Sequence, residues 1–155
     1  MAKSIVAFCA LLLTSLVAGT AFGIWLGYDP VDMPATLYVA QQQHAIGALN
    51  TAMPVLGAIC ILLTLACAVM NRRSRAVFSL LLAAAALLIA AGLITRFFNQ
   101  PINSQVSAWN VQTPPSNWMA LRDEWWRWHI ARTLASIGGL SLLILATLRD
   151  RAGAG

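Results

Sequence analysis

The chain has 155 residues, of which 59% are hydrophobic and 10% charged, against about 25% charged in a soluble domain. With a mean hydropathy of +0.73, this composition excludes a soluble globular protein and points to an integral membrane protein, with the lipid bilayer as its first partner. The net charge of +5 does not indicate a nucleic-acid surface, because three of the ten basic residues, Arg72, Arg73 and Arg75, share one short loop and no RNA- or DNA-binding motif occurs.

In chain order, the first apolar run predicts a span over residues 4–27, since crossing a bilayer takes about 20 residues. A secretory signal peptide is the competing reading, but its apolar region usually runs only about 7 to 15 residues. Gly19 and Gly23 stand at the small-xxx-small spacing that lets helices approach closely. Trp25 and Tyr28 mark an interface, and YDPVDMPAT then reads as a connecting loop. A second helix is expected over residues 37–71, with Pro54 as a kink. At 1.5 Å per residue it would be roughly 50 Å long, against a hydrocarbon layer of about 30 Å, so part of it must protrude.

The basic turn NRRSR fixes the orientation. By the positive-inside rule it is cytoplasmic, with Lys3 and the terminal segment LRDRAGAG on the same side. A third span over 75–98, an outer loop over 99–117 and a fourth span over 118–149 follow. The loop SQVSAWNVQTPPSN reads either as a lid or as an ordinary surface crossing, and the tail after Leu148 is expected to fray. The expected fold class is therefore all-α, a single four-helix transmembrane bundle over residues 1–155. It runs up-down-up-down in the cell membrane, with cytoplasmic N- and C-termini. Cys9, Cys60 and Cys67 all lie in apolar runs without a CxxC pair, and are expected to be packing residues.

The stretch TRFFNQPINSQVSAWNVQTPPSNWMALRDEWWRWHIAR departs from this apolar pattern and holds five of the six tryptophans. Counting about 20 residues from the cytoplasmic turn along each span brings Arg96, His129 and Arg132 to one level at the outer boundary, with Gln41, Gln42, Gln43, His44 and Asn50 at or just above it. Helical spacing places Arg122, Trp125, His129, Arg132 and Ser136 on one stripe, and Leu37, Gln41, His44 and Ala48 on another. Charges at this depth are expensive unless they face a cavity, a partner or headgroups. A lipid-phosphate role for Arg122, Arg127 and Arg132, with Trp109, Trp118, Trp125, Trp126 and Trp128 as an interfacial aromatic belt, is the plainer alternative.

The pattern Thr95, Asn99, Pro101, Asn103, followed by Trp118, Trp125, Trp128, His129, Arg132 and Thr133, resembles the anthrone-oxygenase-like family of small four-helix membrane proteins; Asn50 is the best match on the second helix. The resemblance implies oxygenation of a polycyclic anthrone, or a related aromatic or phenolic compound, at an activated methylene, without an organic cofactor. In that light His129 is the expected base, with His44 in reserve. Arg132 and Arg96 are expected to stabilise the oxyanion, Asn99 and Asn103 to orient it, and Trp125 and Trp128 to wall the slot. Trp118, His44 and Asn50 complete the expected ligand-binding set, on the outer side of the bundle.

Two other classes compete with this cofactor-independent monooxygenase. His44 and His129 on different helices would supply the axial imidazoles of a haem, or ligands to copper or iron. A non-catalytic accessory subunit, or a quinone- or lipid-binding protein, would instead use the polar cap to dock a membrane partner, a headgroup or a second copy of the chain. There is no Gly-rich phosphate loop, GxSxG turn or HExxH helix.

Overall fold

The computed structural model describes residues 1–152; the last three residues of the tail expected to fray lie outside the described residues. The described residues form α1 (Ala2–Gly27), α2 (Ala35–Leu49), α3 (Ala52–Met70), α4 (Arg75–Ile94), α5 (Gln100–Ser107) and α6 (Trp118–Ala152), with no strand among them. Four helical stretches are long and apolar enough to cross a membrane: α1, α3, α4 with its continuation to Ser107, and α6. Ile5, Phe8, Leu12 and Leu16 on α1, like Leu62 on α3 and Leu145 on α6, are exposed. Such outward-facing apolar side chains suit contact with lipid tails rather than water.

The interior is built from small residues. Ala10, Ala68, Ala84 and Ala146 pack with Cys67, Val77, Leu81 and Leu143 near the basic turn. Where α4 and α6 touch, Gly139 is obligatory in size, because a Cβ there would lie 2.9 Å from Leu88 Cγ and 3.2 Å from the Ala84 carbonyl oxygen. Close approach of backbones through small residues is the usual way apolar helices pack in a bilayer, where no hydrophobic force draws them together. Gly19 and Gly23 do not serve this purpose within the chain: a Cβ at either would meet nothing within 4 Å. The cysteines are unpaired, and Cys60 and Cys67 are buried in the helix packing.

At one end of the bundle Lys3 and Asp150 form a 2.7 Å ion pair, and both border a cleft shared with Asn71 of the basic turn. The start of α1, the α3–α4 turn and the end of α6 are therefore neighbours. The candidate site lies at the opposite end.

Two prolines shape that end, and both move boundaries away from the sequence expectation. The helix expected to be continuous over 37–71 is broken at Asn50–Thr51, which separates α2 from α3. A proline clashes with the carbonyl four residues earlier, and for Pro54 that carbonyl belongs to Asn50. Pro54 itself sits in the first turn of α3, where its missing N–H costs little. Pro101 acts similarly on the third span. The residues before it, Thr95–Asn99, form a π-helical turn in which the Gln100 N–H reaches the Thr95 carbonyl, and the helix then continues as α5 to Ser107. Half of the loop expected over 99–117 is therefore helical.

Candidate functional site

The π turn and α5 carry Asn99 and Asn103 into the space between α2 and α6. Asn103 is the hub there. Trp125 Nε1 on α6 donates to Asn103 Oδ1 at 2.8 Å, and Asn103 Nδ2 donates to Asn50 Oδ1 at 2.8 Å. An indole N–H can only donate, so it fixes which end of the Asn103 amide faces Trp125 and which faces Asn50. Gln42 on α2 joins through its Nε2, 3.4 Å from Asn103 Oδ1, and its Oε1 accepts the Tyr28 hydroxyl at 2.9 Å. Gln43 Nε2 donates to the carbonyls of Val106 and Trp109, both at 2.9 Å, and so caps the end of α5 with α2. Under this polar layer Ile102, Val106 and Trp125 form a second apolar core with Ile24 and Ile46.

One helical turn further along α6, His129 is completely buried. Its Nε2 lies 3.1 Å from the Ala21 carbonyl oxygen on α1, an atom that can only accept, so Nε2 carries the proton. The Nδ1 lone pair then accepts from Arg132, whose Nε and NH2 lie at 3.3 and 2.9 Å. Trp125 and Trp126 are nearly parallel to the imidazole, with ring centroids 5.1 and 5.4 Å away. Arg132 NH1 also reaches Thr95 Oγ1 at 3.4 Å. Of the five guanidinium N–H groups three have protein partners, which leaves two unoccupied. Among the described residues Arg132 has no carboxylate partner; the ion pairs found are Lys3–Asp150 and Arg122–Asp123.

Arg132 borders a cavity of about 570 Å³, together with Trp125, Asn103, Asn50, His44 and Tyr28. That size lies within the range of small-molecule sites, about 300–1,000 Å³, and the mixture of apolar wall and a few convergent polar groups is typical of them. The arrangement holds a cation with spare donors, an amide network and one imidazole against a single space. Such donors can hydrogen-bond an anionic oxygen.

Of the residues expected to form the site, Arg132, Asn103, Asn50, Trp125 and His44 border this cavity and the others do not. His129, the expected base, has both ring nitrogens engaged and faces Arg132 rather than the cavity. For the same reason it does not fit as an axial or metal ligand paired with His44, since neither nitrogen has a free lone pair. Asn99 is buried; its Nδ2 donates to the Trp125 carbonyl at 3.0 Å and braces α6, while its Oδ1 has no hydrogen-bond partner among the described residues. Arg96 opens onto a different cavity. Trp128 stacks on Phe98 at 3.8 Å, and Trp118 packs on Tyr38 beneath the Arg122 guanidinium. Arg122 is itself structural, donating to the Val31 carbonyl at 2.7 Å and pairing with Asp123. Of Arg122, Arg127 and Arg132, only Arg127 is exposed.

The stripe of Leu37, Gln41, His44 and Ala48 is the exposed face of α2, with Gln41 and His44 at the cavity edge, whereas Tyr38, Val39 and Gln42 are buried. The sequence assigns no site role to Tyr28, whereas Thr95 belongs to the family-like pattern and Gln42 to the polar stretch of the second helix at the same depth. Tyr28 read as an interface marker, and no local signal pairs it with a glutamine fourteen residues on. Burial, reinforced by neighbouring Tyr38, pushes the Tyr28 phenol above its ordinary range, and burial raises that of Tyr38 too. Tyr28 therefore remains a neutral donor to Gln42.

The family model described as Anthrone oxygenase matches residues 43–142, a span that holds His44, Asn50, Thr95, Asn103, Trp125 and Arg132 of the cavity wall but not Tyr28, Gln41 or Gln42. No curated protein and no solved structure matches the chain.

Proposed function

The chain belongs to the anthrone oxygenase family, and from that premise we propose that it is a multi-pass membrane oxygenase that converts the activated methylene of an anthrone-type phenolic polycycle into a carbonyl. The observation that carries this reading is Arg132, a cation with unoccupied donors and no carboxylate partner among the described residues, on the wall of a cavity large enough for such a molecule. A charge at membrane depth is costly without a counter-charge, and an ionised phenolic oxygen supplies one.

The chemistry follows from the substrate's own electronics. The methylene lies between two aromatic rings opposite a carbonyl, so loss of one proton gives a delocalised carbanion whose charge rests largely on oxygen. His44, the imidazole on the cavity edge, takes that proton, and Arg132 holds the developing oxyanion by its free N–H groups. The carbanion reacts with dioxygen to give a hydroperoxide. Loss of water, in which the remaining C–H is removed and the O–O bond breaks, then leaves the carbonyl. In balance, the methylene and dioxygen become the carbonyl and water: the carbon keeps one oxygen atom, and both of its hydrogens leave with the other. His129 does not touch the substrate; it is the positioning residue that fixes the guanidinium of Arg132.

In this reading the spans alternate up-down-up-down, the arginine-rich turn and both ends lie in the cytoplasm, and the cavity opens on the outer side. The Lys3–Asp150 pair beside Asn71 supports that arrangement.

The test is turnover of a hydroxylated anthrone under isotopically labelled dioxygen by the full chain in detergent, measured above the spontaneous rate. One labelled atom is expected in the new carbonyl and the other in water. His44→Gln is expected to lower the rate by roughly a hundredfold or more. Full activity in His44→Gln would remove the base, and full activity together with unchanged substrate affinity in Arg132→Gln would remove the site.

A further inference from the structure

A second cavity, of about 210 Å³, lies between α1, α3, α4 and α6 and shares Arg132 and Thr95 with the first as a common wall. Its shape differs from what a flat ring system needs. It follows α3 from Met53 to Ile61, eight residues or about 12 Å at 1.5 Å per residue, and runs parallel to the helices. Away from Arg96 its walls are mostly apolar, with Ala58, Ile61 and Leu88; the polar groups there are Thr14, Ser136 and Arg132, whose guanidinium is tied to His129. Between α3 and α4 two wall positions, Gly57 and Gly92, carry no side chain. A Cβ on Gly57 would meet nothing within 4 Å, and one on Gly92 would only touch Ile61 Cδ1 at 4.0 Å.

The end furthest from the basic turn is cationic. Arg96 and Gln100, just beyond α4, border the cleft there. Arg96 is exposed and has no ion pair among the described residues; its nearest aromatic neighbour is Phe97, with the guanidinium carbon 6.0 Å from the ring centroid. A narrow apolar cleft parallel to the spans, open through two glycines and headed by an unpaired guanidinium at the membrane boundary, complements an amphiphile with one anionic group and one extended chain. An anionic phospholipid has both, with its phosphate at the depth of Arg96 and its acyl chains along the membrane normal.

We propose that this cleft is a binding site for an anionic phospholipid, with the phosphate on Arg96 and one acyl chain lying along Gly92 and Gly57 toward Leu88. The site adjoins the aromatic cavity across the shared wall of Arg132 and Thr95, but the proposal does not depend on the chain being an oxygenase. It also gives a use to Arg96, which the larger cavity leaves out.

The experiment is native mass spectrometry of the full chain in detergent, titrated with phosphatidylglycerol or phosphatidylcholine carrying the same acyl chains. One phosphatidylglycerol is expected to bind about fivefold more tightly than phosphatidylcholine, the scale of a single basic residue near a membrane surface. Arg96→Gln is expected to bring the two lipids to parity, whereas Arg127→Gln, at an exposed arginine of the same end, leaves the preference intact. Equal loss in both variants would mean diffuse surface charge and would overturn the site, as would an unchanged preference in Arg96→Gln. Gly92→Phe, which fills the cleft, is expected to abolish the bound lipid with Arg96 still present. As a measurement on the unaltered chain, excess glycerol phosphate should not displace the lipid; displacement would show recognition of the headgroup alone and refute the acyl-chain cleft.

Discussion

The Arg132 guanidinium donates to His129 Nδ1 at 2.9 Å, while the opposite nitrogen of the same ring is tied to the Ala21 carbonyl of α1. The imidazole is thus a fixed strut between α1 and the guanidinium. His129→Leu should loosen Arg132 and leave it without its acceptor, at a cost of about 1–3 kcal/mol. His44 is exposed and makes no hydrogen bond among the described residues, so His44→Gln should change stability by less than about 0.5 kcal/mol. Thermal unfolding of the two variants in one detergent separates the roles: unchanged stability in His129→Leu would contradict the strut.

Asn103 accepts from Trp125 and Gln42 and donates to Asn50, so one side chain joins α2, α5 and α6. Asn103→Leu should cost about 1–3 kcal/mol by leaving the Trp125 indole N–H and the Asn50 carbonyl oxygen without their partner. It should also raise KM for the aromatic substrate more than it lowers kcat, because the network shapes the cavity wall. A wild-type KM would show that the cavity does not need the network.

The chain has two tyrosines, Tyr28 and Tyr38, and burial raises both phenols above their ordinary value. An unfolded phenol ionises near pH 10. A phenol raised on folding contributes stability that is fully present below about pH 10 and is lost as pH rises from there toward the folded value. Ultraviolet titration should therefore show almost no phenolate until the protein unfolds, followed by both tyrosines together. A smooth titration centred near pH 10 in the folded protein would contradict their burial.

Gly139 and Gly23 make a paired test of helix packing. Gly139→Val would push into Leu88 and the Ala84 carbonyl, and should cost about 1–3 kcal/mol. Gly23→Val, where a Cβ meets nothing within 4 Å, should leave stability of the monomer within about 0.5 kcal/mol. A large loss in Gly23→Val would instead reveal a contact made by α1 outside this chain.

The parts of the protein set by hydropathy could be read from the chain directly, because twenty apolar residues in a row are long enough to cross a membrane whatever surrounds them. The helical spans, the arginine-rich turn and the polar stretch around WWRWHIAR follow from that, and helical spacing alone puts Arg122, Trp125, His129 and Ser136 on one stripe, which the fold then buries. Family resemblance was legible for the same reason: its pattern is local, concentrated between Thr95 and Thr133. What each polar side chain faces is not local. The π turn before Pro101 holds one more residue than an α-turn, so it turns everything after it on that helix by about 100°. The break at Asn50–Thr51 likewise frees α2 to pack on α5. Only the assembled tertiary structure therefore decided that His129 backs Arg132 while His44 meets the cavity, and that Arg96 opens onto a separate cleft. The physical reason is that a helical period fixes which residues share a face, but only packing against other helices decides what that face meets.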